Sequence, residues 1–244
     1  MTSIIDTTFT MHSDTPPKDA DTWSPTLRNY HQVLWSKVLP NGKIFDLTSS
    51  QKPPYYHYHS SDLGDFCLSS DAIIHTYSKW RRKSMVTIIE TFPKAEIDAF
   101  YNLSNTIGSY ILFPANKIEG IQTINQARGM MTYKIGDRFD LTLECIRRSY
   151  LGIENPLSAH INGYSNFFKL FENFQGYVNF FLLDDLIDMD TGKIRFWLPF
   201  TEFGERDAVP TSTEEYREYM KNASEFAKAR NIRIAEWANI NLNN

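Results

Sequence analysis

Apolar residues in the second half of the chain recur at the spacing of an amphipathic helix. Between residues 137 and 150 they stand three or four positions apart, on one face of a predicted helix, and they are Phe139, Leu143, Ile146 and Tyr150. Gly152 follows at the position where a helix commonly ends in a glycine. We therefore predict a helix that is capped by Asp137 and ends at Tyr150.

The remainder of the second half is also mainly helical in its pattern. The further predicted helices begin at Pro156, cover residues 174–187, and extend from Ser212 to Arg230. The last of these carries acidic residues in its first turn and basic residues at its end, which matches the helix dipole. A turn at 190–193 leads into an alternating run at 194–200, which we predict to be a strand.

The first half instead shows short β-prone runs between turn signals. Ser24 and Pro25 are typical of a helix start, as N-cap and first helical residue. We predict strands at 43–47, 85–91 and 106–113, a short β-prone run at 4–9, a helix at 93–103 and an exposed loop at 48–65. Strands in the N-terminal half and helices in the C-terminal half favour the α+β class. We expect one compact domain, 23–244, after an N-terminal arm, 1–22, with an edge strand.

Composition and charge narrow the class of protein. With 42% apolar and 14% aromatic residues, a chain of 244 residues can bury a core without disulfides. The net charge of −4 gives no overall basic excess for binding nucleic acid or an acidic membrane. Cys67 and Cys145 are too few for a disulfide framework, so we expect two free thiols. No signal peptide or bilayer-spanning segment is visible, so we expect a cytoplasmic protein.

Two short motifs resemble metal sites, and neither is complete. His57 and His59 would face the same side of an extended segment, but no glutamate stands four or five residues later. Residues 184–188 match the DDxxD pattern, which requires a second acidic helix that the sequence lacks. We therefore assign no metal, and no cofactor is indicated.

Polar groups concentrate between residues 108 and 157. An arginine beside a flexible glycine and a helix start suits a phosphate or carboxylate ligand. The candidate ligand-binding residues are Asn116, Asn125, Arg128, Gly129, Asp137 and Arg138, and the candidate catalytic carboxylates are Asp140 and Glu144. The two carboxylates are four residues apart and share a helix face. The same charges also fit an internal network of ion pairs that orients the helix, and the sequence favours this alternative slightly.

Long and specific strings extend over nearly the whole chain. Among them are DADTWSPTLRNYHQVLWSKVLPNGKIFDL, TIGSYILFP, INQARG, IGDRFDLTLECIRRSY and FFKLFENFQGYVNFFLLDDLI. These strings resemble an uncharacterised bacterial protein family that is known only as a domain of unknown function. The resemblance implies a single domain and a prokaryotic or phage origin. It implies no activity, cofactor or catalytic residue.

An enzyme-like domain that binds a phosphate-bearing small molecule or nucleotide is the function that these features favour. Arg128 and Arg138 would hold the anion, and Glu144 or Asp140 would act as the acid/base or ribose-contacting group. This hypothesis predicts that Arg128→Ala abolishes ligand binding and leaves the melting temperature nearly unchanged.

A protein-interaction module, such as a component of a bacterial defence or toxin system, is the alternative. Its hot spot would be formed by exposed aromatic residues, for which the candidates are Tyr55, Tyr56, Tyr58 and Trp80. Binding of nucleic acid through residues 80–83, a tryptophan followed by three cations, ranks third. The oligomeric state cannot be read from the sequence.

Overall fold

An antiparallel sheet forms the β part of the fold in the computed structural model, which describes residues 5–16, 18–78, 83–131, 133–188 and 190–242. The strands are β1 (Lys37–Val38), β2 (Ile44–Phe45), β3 (Thr48–Ser49), β4 (Tyr56–Ser61), β5 (Gly64–Ala72) and β6 (Tyr110–Pro114). β1 and β2 form a separate hairpin, and the other four pair in the order β3-β4-β5-β6. β6 is buried at every position, which explains its unbroken apolar sequence.

Helices lie before, between and after these strands in the chain, and several of them contact the sheet. They are α1 (Ala20–Trp23), α2 (Pro25–Trp35), α3 (Lys83–Ile89), α4 (Lys94–Leu103), α5 (Ile124–Met130), α6 (Phe139–Tyr150), α7 (Ser158–Gly163), α8 (Ser165–Lys169), α9 (Phe174–Phe180) and α10 (Thr213–Leu242). Short 3-10 turns lie at Met11–Asp14, Ile107–Ser109 and Asp184–Leu186. Within the described ranges, no helix combines the length and the apolar character needed to cross a bilayer.

The C-terminal helix α10 packs closely against the 3-10 turn that leads into β6. The backbone N–H of Gly108 donates to Asn231 Oδ1 over 2.8 Å. A Cβ atom at Gly108 would stand 2.6 Å from that oxygen and 2.8 Å from the carbonyl oxygen of Ala227. Position 108 therefore requires glycine because two backbones approach each other closely here.

Arg230 of α10 is completely buried and has no carboxylate partner among the described residues. Its guanidinium donates to the carbonyl oxygens of Gly108 (2.9 Å), Tyr110 (2.8 Å), Phe181 (2.9 Å) and Leu182 (3.2 Å). Burial lowers the pKa of Arg230 to about 9, since few opposite charges are near. One side chain thus joins α10, the start of β6 and the segment after α9.

The α+β class is confirmed, with strands between residues 37 and 114 and helices mainly towards the C-terminus, in a single compact domain. The Oγ of Ser24 accepts the N–H of Leu27 and Pro25 opens α2, as predicted. The predicted helix at 93–103 is α4, and the predicted strand at 106–113 corresponds to a 3-10 turn followed by β6. α6 ends at Tyr150 as predicted, and Gly152 follows with a φ of +69°. The predicted cap at Asp137 is wrong, because Arg138 is the N-cap and Asp137 has a left-handed φ of 60°.

Three predictions for the first half are wrong. Residues 48–65 form β3, β4 and the start of β5 instead of an exposed loop. Residues 85–89 belong to α3 and residues 90–91 form a turn. Met85 and Ile88, three positions apart, are both buried, so packing of one helix face outweighs β propensity. Residues 5–9 form a bend and a turn instead of an edge strand, and Ile5 is buried.

The predictions for the second half differ from the structure mainly in where elements end. The region from Pro156 to Lys169 is divided into α7 and α8, and the helix predicted to reach residue 187 stops at Phe180. Residues 194–200 form no strand. Only Ile194 makes a bridge, to Ile187, because the N–H of Trp197 donates to Asp140 instead of to a neighbouring strand. α10 continues twelve residues beyond Arg230 to Leu242.

The N-terminal arm packs onto this framework. The N–H of Met11 donates to the carbonyl oxygen of Asn105 over 2.8 Å, and α1 lies against β5. The boundary proposed at residue 22 stays a prediction.

Candidate functional site

A cleft of about 340 Å³ opens at the end of β5, between α1, the C-terminal part of α4 and the loop before α6. Its lining is rich in titratable groups, which are His12, Asp19, Asp21, Asp71, His75, Tyr101, Tyr110 and Asp137. These residues come from separate parts of the chain and meet only in the folded protein. We therefore treat this cleft as the candidate functional site.

The floor of the cleft is fixed by Arg128, whose side chain is completely buried. Its guanidinium donates to the carboxylate of Asp71, to Thr142 Oγ1 (3.2 Å), and to the carbonyl oxygens of Ala72 (3.0 Å) and Asp137 (2.9 Å). Nη1 also lies 3.3 Å from the Asp137 carboxylate. Arg128 therefore holds two carboxylates at the cleft and is itself fully engaged.

Local sequence explains why this arginine is buried. α5 begins with a capping box, in which the side chains of Thr123 and Gln126 each bond the other's backbone N–H. Ile124, Ala127 and Arg128 then share the buried side of a short helix. Because the capping box fixes where this seven-residue helix begins, it also fixes the side of the helix from which Arg128 projects.

Asp71 reaches the cleft because of the alternation of side chains along β5. Phe66, Leu68 and Ser70 are buried on one face, and Asp71 belongs to the opposite face, where it retains 17% exposure. In the antiparallel ladder between β5 and β6, Asp71 pairs with Ile111. The sheet thus presents one carboxylate to the cleft from a rigid element.

The backbone beside the cleft is strained at two positions. Tyr77 and Asp137 have φ values of 57° and 60°, in the left-handed region that residues other than glycine rarely adopt. The two segments are joined, because the Tyr77 hydroxyl donates to the carbonyl oxygen of Gly136 over 2.7 Å. Such outliers cluster at functional sites and persist only where the surroundings enforce them.

His75 lies next to Asp137 in the cleft. Its Nδ1 accepts the backbone N–H of Tyr77 over 3.0 Å, which leaves the ring proton of the neutral imidazole on Nε2. Nε2 lies 3.9 Å from Asp137 Oδ2. Burial lowers the pKa of His75, and Asp137 opposes this effect. At neutral pH the imidazole is therefore uncharged and directs a donor towards a carboxylate.

Two carboxyl groups of the cleft titrate in an unusual range. Burial raises the pKa of Asp71 to about 7; Arg128 acts against this shift, and the neighbouring charges of Asp137 and Asp21 add to it. Burial, and then the charge of Asp19, raise the pKa of Asp21 to about 6. Carboxyl groups that change protonation near pH 7 can exchange protons with a ligand under physiological conditions.

His12 and Tyr101 form the opposite wall. The Tyr101 hydroxyl and His12 Nε2 are 2.7 Å apart, and the two rings stack with their centroids separated by 5.1 Å. This pair ties the 3-10 turn at Met11–Asp14 to α4 and gives the wall a fixed shape.

Arg138 and Asp140 lie away from the cleft, in the interior. Their side chains form an ion pair that is almost completely buried. The guanidinium also donates to the carbonyl oxygen of Ala208 (3.1 Å), and the carboxylate accepts the N–H of Trp197 (2.9 Å). This pair fastens the start of α6 to residues 197–208, in the manner of the internal network that the sequence offered as the alternative.

Glu144 belongs to a second ion-pair cluster, one turn further along α6. It accepts bonds from Arg147 (2.7 and 2.9 Å) and Arg148 (2.8 Å), and Arg148 in turn binds Glu202. These contacts join α6 to the segment after residue 200.

The remaining candidate residues also contact groups of the protein itself. The amide of Asn116 bonds the N–H of Cys67 and the carbonyl oxygen of Asp65, and so extends the edge of β5. Asn125 donates to Ser69 Oγ over 3.2 Å. Gly129 lies beside Asp137, since a Cβ atom there would stand 3.9 Å from Asp137 Oδ2. Of the predicted set, the structure brings Arg128, Gly129 and Asp137 together at the cleft.

The two metal-like motifs have structural roles. His57 and His59 do face the same side of β4, but they are buried, with Nδ1 atoms bonded to Ser49 Oγ (2.8 Å) and the Asp46 carbonyl oxygen (3.1 Å). Asp185 pairs with Arg233 of α10. Among the described residues, no group of three His, Cys, Asp or Glu side chains is arranged to hold a metal ion. Trp80, Arg81 and Arg82 lie outside the described residues.

Sequence reasoning missed most of the cleft. Asp21, Asp71, His75, His12 and Tyr101 belong to no motif, and their separation along the chain exceeds any local pattern. No local pattern in the sequence distinguishes them from ordinary surface residues.

Comparison with known protein families gives a match over nearly the whole chain. A family model described as "Family of unknown function (DUF6994)" matches residues 5–234, nearly the whole chain. This finding confirms the resemblance to an uncharacterised family. No curated protein and no solved structure matches the chain.

Proposed function

We propose a ligand-binding function for this chain, which belongs to the Family of unknown function (DUF6994). The cleft at Asp71 binds an amine-bearing small molecule, and Asp71 exchanges a proton with it. The observation that carries this proposal is the arrangement around Arg128. A completely buried guanidinium holds Asp71 and Asp137 in place, and both carboxylates remain 17% and 23% exposed to the cleft.

The charge of the cleft decides the class of ligand. Four carboxyl groups, those of Asp19, Asp21, Asp71 and Asp137, line it, and the guanidinium beneath them already makes four hydrogen bonds. A phosphate group would meet these carboxylates and find no free cation in the described lining, whereas an ammonium group gains from each of them. We therefore favour a cationic ligand over the phosphate-bearing one that the sequence suggested.

Asp71 and His75 supply the acid/base chemistry in this proposal. Because burial raises the pKa of Asp71 to about 7, its carboxylate can accept a proton from a bound ammonium and return it near neutral pH. His75 carries its proton on Nε2, next to Asp137, and so offers a donor beside the same space. The rigid strand and the strained loop keep these groups in position without a ligand. Two free cysteines support a reducing compartment, and we place the protein in a bacterial cytoplasm.

Calorimetric titration with a matched pair of probes tests the proposal. The probes are 1,5-diaminopentane and glutarate, which have the same length and opposite charge, with inorganic phosphate and AMP as further anions. We expect the diamine to bind and the anions not to bind. We expect Asp71→Asn to weaken diamine binding at least about tenfold, and Asp98→Asn, an exposed carboxylate on α4, to leave it unchanged.

The pH dependence gives a second criterion. Ionised Asp71 is the form that attracts an ammonium, so diamine affinity should increase as the pH rises through about 7, and Asp71→Asn should remove this dependence. Binding of phosphate or AMP at the cleft, or a diamine affinity that is insensitive to Asp71→Asn, would overturn the proposal.

A role as a protein-interaction module is the second candidate. It is supported by Tyr56 and Tyr58 on the outward face of β4, which are 36% and 44% exposed. Tyr55 is less available, because Arg28 lies over its ring at 4.7 Å from the centroid. If these tyrosines bind a partner, Tyr56→Ser/Tyr58→Ser should abolish a pull-down that Asp71→Asn does not affect.

A further inference from the structure

Lys37, at the start of β1, has its amino group inside a ring of aromatic side chains. Nζ lies 4.8 Å from the ring centroid of Trp35, 4.7 Å from that of Phe180 and 5.0 Å from that of Trp237. The three rings belong to α2, α9 and α10, so the cage is formed by the tertiary fold. The proposed function makes no use of this lysine.

A cavity of about 530 Å³ opens onto this cage. Its walls are apolar or carry amides, and they include Val38, Leu39, Pro40, Asn173 and Asn179. No carboxylate lines it among the described residues, and none lies within ion-pair distance of Lys37 in that part of the chain. A lysine that faces a cavity without a counter-ion is unusual, since charged groups that leave water are normally paired.

The neighbouring charges act on the amine in opposite directions. Burial lowers the pKa of Lys37 to about 7; Arg230 adds to this effect, and Asp184 acts against it. Asp184 is itself shared with Arg233, whose Nε lies 3.9 Å from its Oδ2. A substantial fraction of the Lys37 amine is therefore neutral at physiological pH, and a neutral amine is the nucleophilic form.

We propose that Lys37 is a nucleophilic amine that forms an imine with an aldehyde bound in this cavity. The nitrogen lone pair attacks the carbonyl carbon, and a C–N bond forms as the carbonyl oxygen takes up a proton. The resulting carbinolamine loses its oxygen as water, which also carries away the second proton of the amine, and a C=N bond remains. No oxidant or reductant is needed for this condensation.

The surroundings of Lys37 suit the body of such a ligand and the imine that it forms. The apolar wall suits an aldehyde with a hydrocarbon or aromatic body, and the absence of acids in the described lining disfavours a cationic one. When the imine is protonated, its positive charge remains within the same three rings, which stabilise a cation through their π faces. The same rings also stabilise the ammonium form of Lys37, so they oppose the effect of burial on the pKa of its amine.

Reductive trapping with the full chain tests this inference. The protein is incubated with benzaldehyde and sodium cyanoborohydride, and the alkylated lysines are quantified by peptide mass spectrometry. Lys94 provides an internal control in the same digest, because its side chain is 87% exposed. We expect Lys37 to be alkylated at least about tenfold faster than Lys94 at pH 7, since only a small fraction of an ordinary lysine is neutral at that pH.

Two further measurements separate a reactive amine from a structural cation. The labelling rate at Lys37 should rise with a midpoint near pH 7, whereas the rate at Lys94 should still be rising above pH 9. Lys37→Arg keeps the cation in the cage, so it should preserve the melting temperature and lose the fast adduct. Labelling of Lys37 no faster than of Lys94, or with a midpoint near pH 10, would overturn the inference.

Discussion

Replacing Arg128 with alanine tests how the cleft is built. The sequence alone predicted that this variant would lose a ligand and keep its stability, whereas the structure predicts a large loss of stability. The guanidinium is completely buried, and it bonds two carboxylates, two carbonyl oxygens and a hydroxyl. In Arg128→Ala, Asp71 and Asp137 would lie beside each other without a cation between them, and Asp71 would lose the charge that acts against its raised pKa.

The size of the effect follows from the burial of the pair. Removing one partner of a buried ion pair costs about 3–5 kcal/mol, because the remaining charge is left uncompensated. For a domain of this size, 1 kcal/mol corresponds to a change of roughly 2–4 °C in the melting temperature, so we expect a decrease of roughly 6–20 °C. Protonation of Asp71 in the variant would reduce the loss at low pH.

Urea denaturation at pH 8, followed by circular dichroism, measures this loss. Arg195→Ala is the matched control, since Arg195 is exposed and should change the free energy of unfolding by less than about 0.5 kcal/mol. The double variant Arg128→Ala/Asp71→Asn should recover part of the loss, because it removes both members of the pair. A loss below about 1 kcal/mol in Arg128→Ala would refute the view that Arg128 anchors the cleft.

Two further predictions concern stability alone. Because the pKa of Asp71 is raised to about 7 in the folded state and is about 3.9 in an unfolded chain, its contribution to stability is present below pH 4 and is lost as the pH rises to about 7. Asp71→Asn should flatten this decline in a series of urea titrations from pH 4 to 8, and an unchanged slope would contradict the assignment. Gly108→Ala places a Cβ atom 2.6 Å from Asn231 Oδ1 and should lower the free energy of unfolding by about 1–3 kcal/mol. Gly192→Ala is the control: its Cβ atom meets nothing within 4 Å, so it measures only the cost of a non-glycine residue at a φ of 65°.

The elements with a strong periodic pattern were the ones that the sequence could predict. α6 is an example. Its apolar stripe is visible in the local sequence and is buried in the fold, and its terminal glycine adopts the positive φ that ends the helix. α3 and the segment 194–200 show the opposite case. β-branched and aromatic residues indicated strands there, but the partners that decide the outcome, α10 and Asp140, lie far away in sequence.

The candidate site was predictable only where charge and position coincided. Arg128 and Asp137 were identified because they lie near each other in the chain beside glycine residues. Arg138, Asp140 and Glu144 look the same in sequence, and only burial shows that they bind protein groups. Asp71 and His75 gave little local signal, since their importance depends on a guanidinium that lies more than fifty residues away.

The bonds of Arg230 have a consequence for how the chain is made. The carbonyl groups that it binds at Gly108 and Tyr110 precede it by 122 and 120 residues. During synthesis these carbonyl groups leave the ribosome long before Arg230 is synthesised. β6 is buried at every position of the folded protein, so part of its apolar surface stays exposed to solvent until α10 has formed. Closing so long a loop is entropically costly and slows folding. Nascent chains of this protein should therefore depend on chaperones until α10 has emerged.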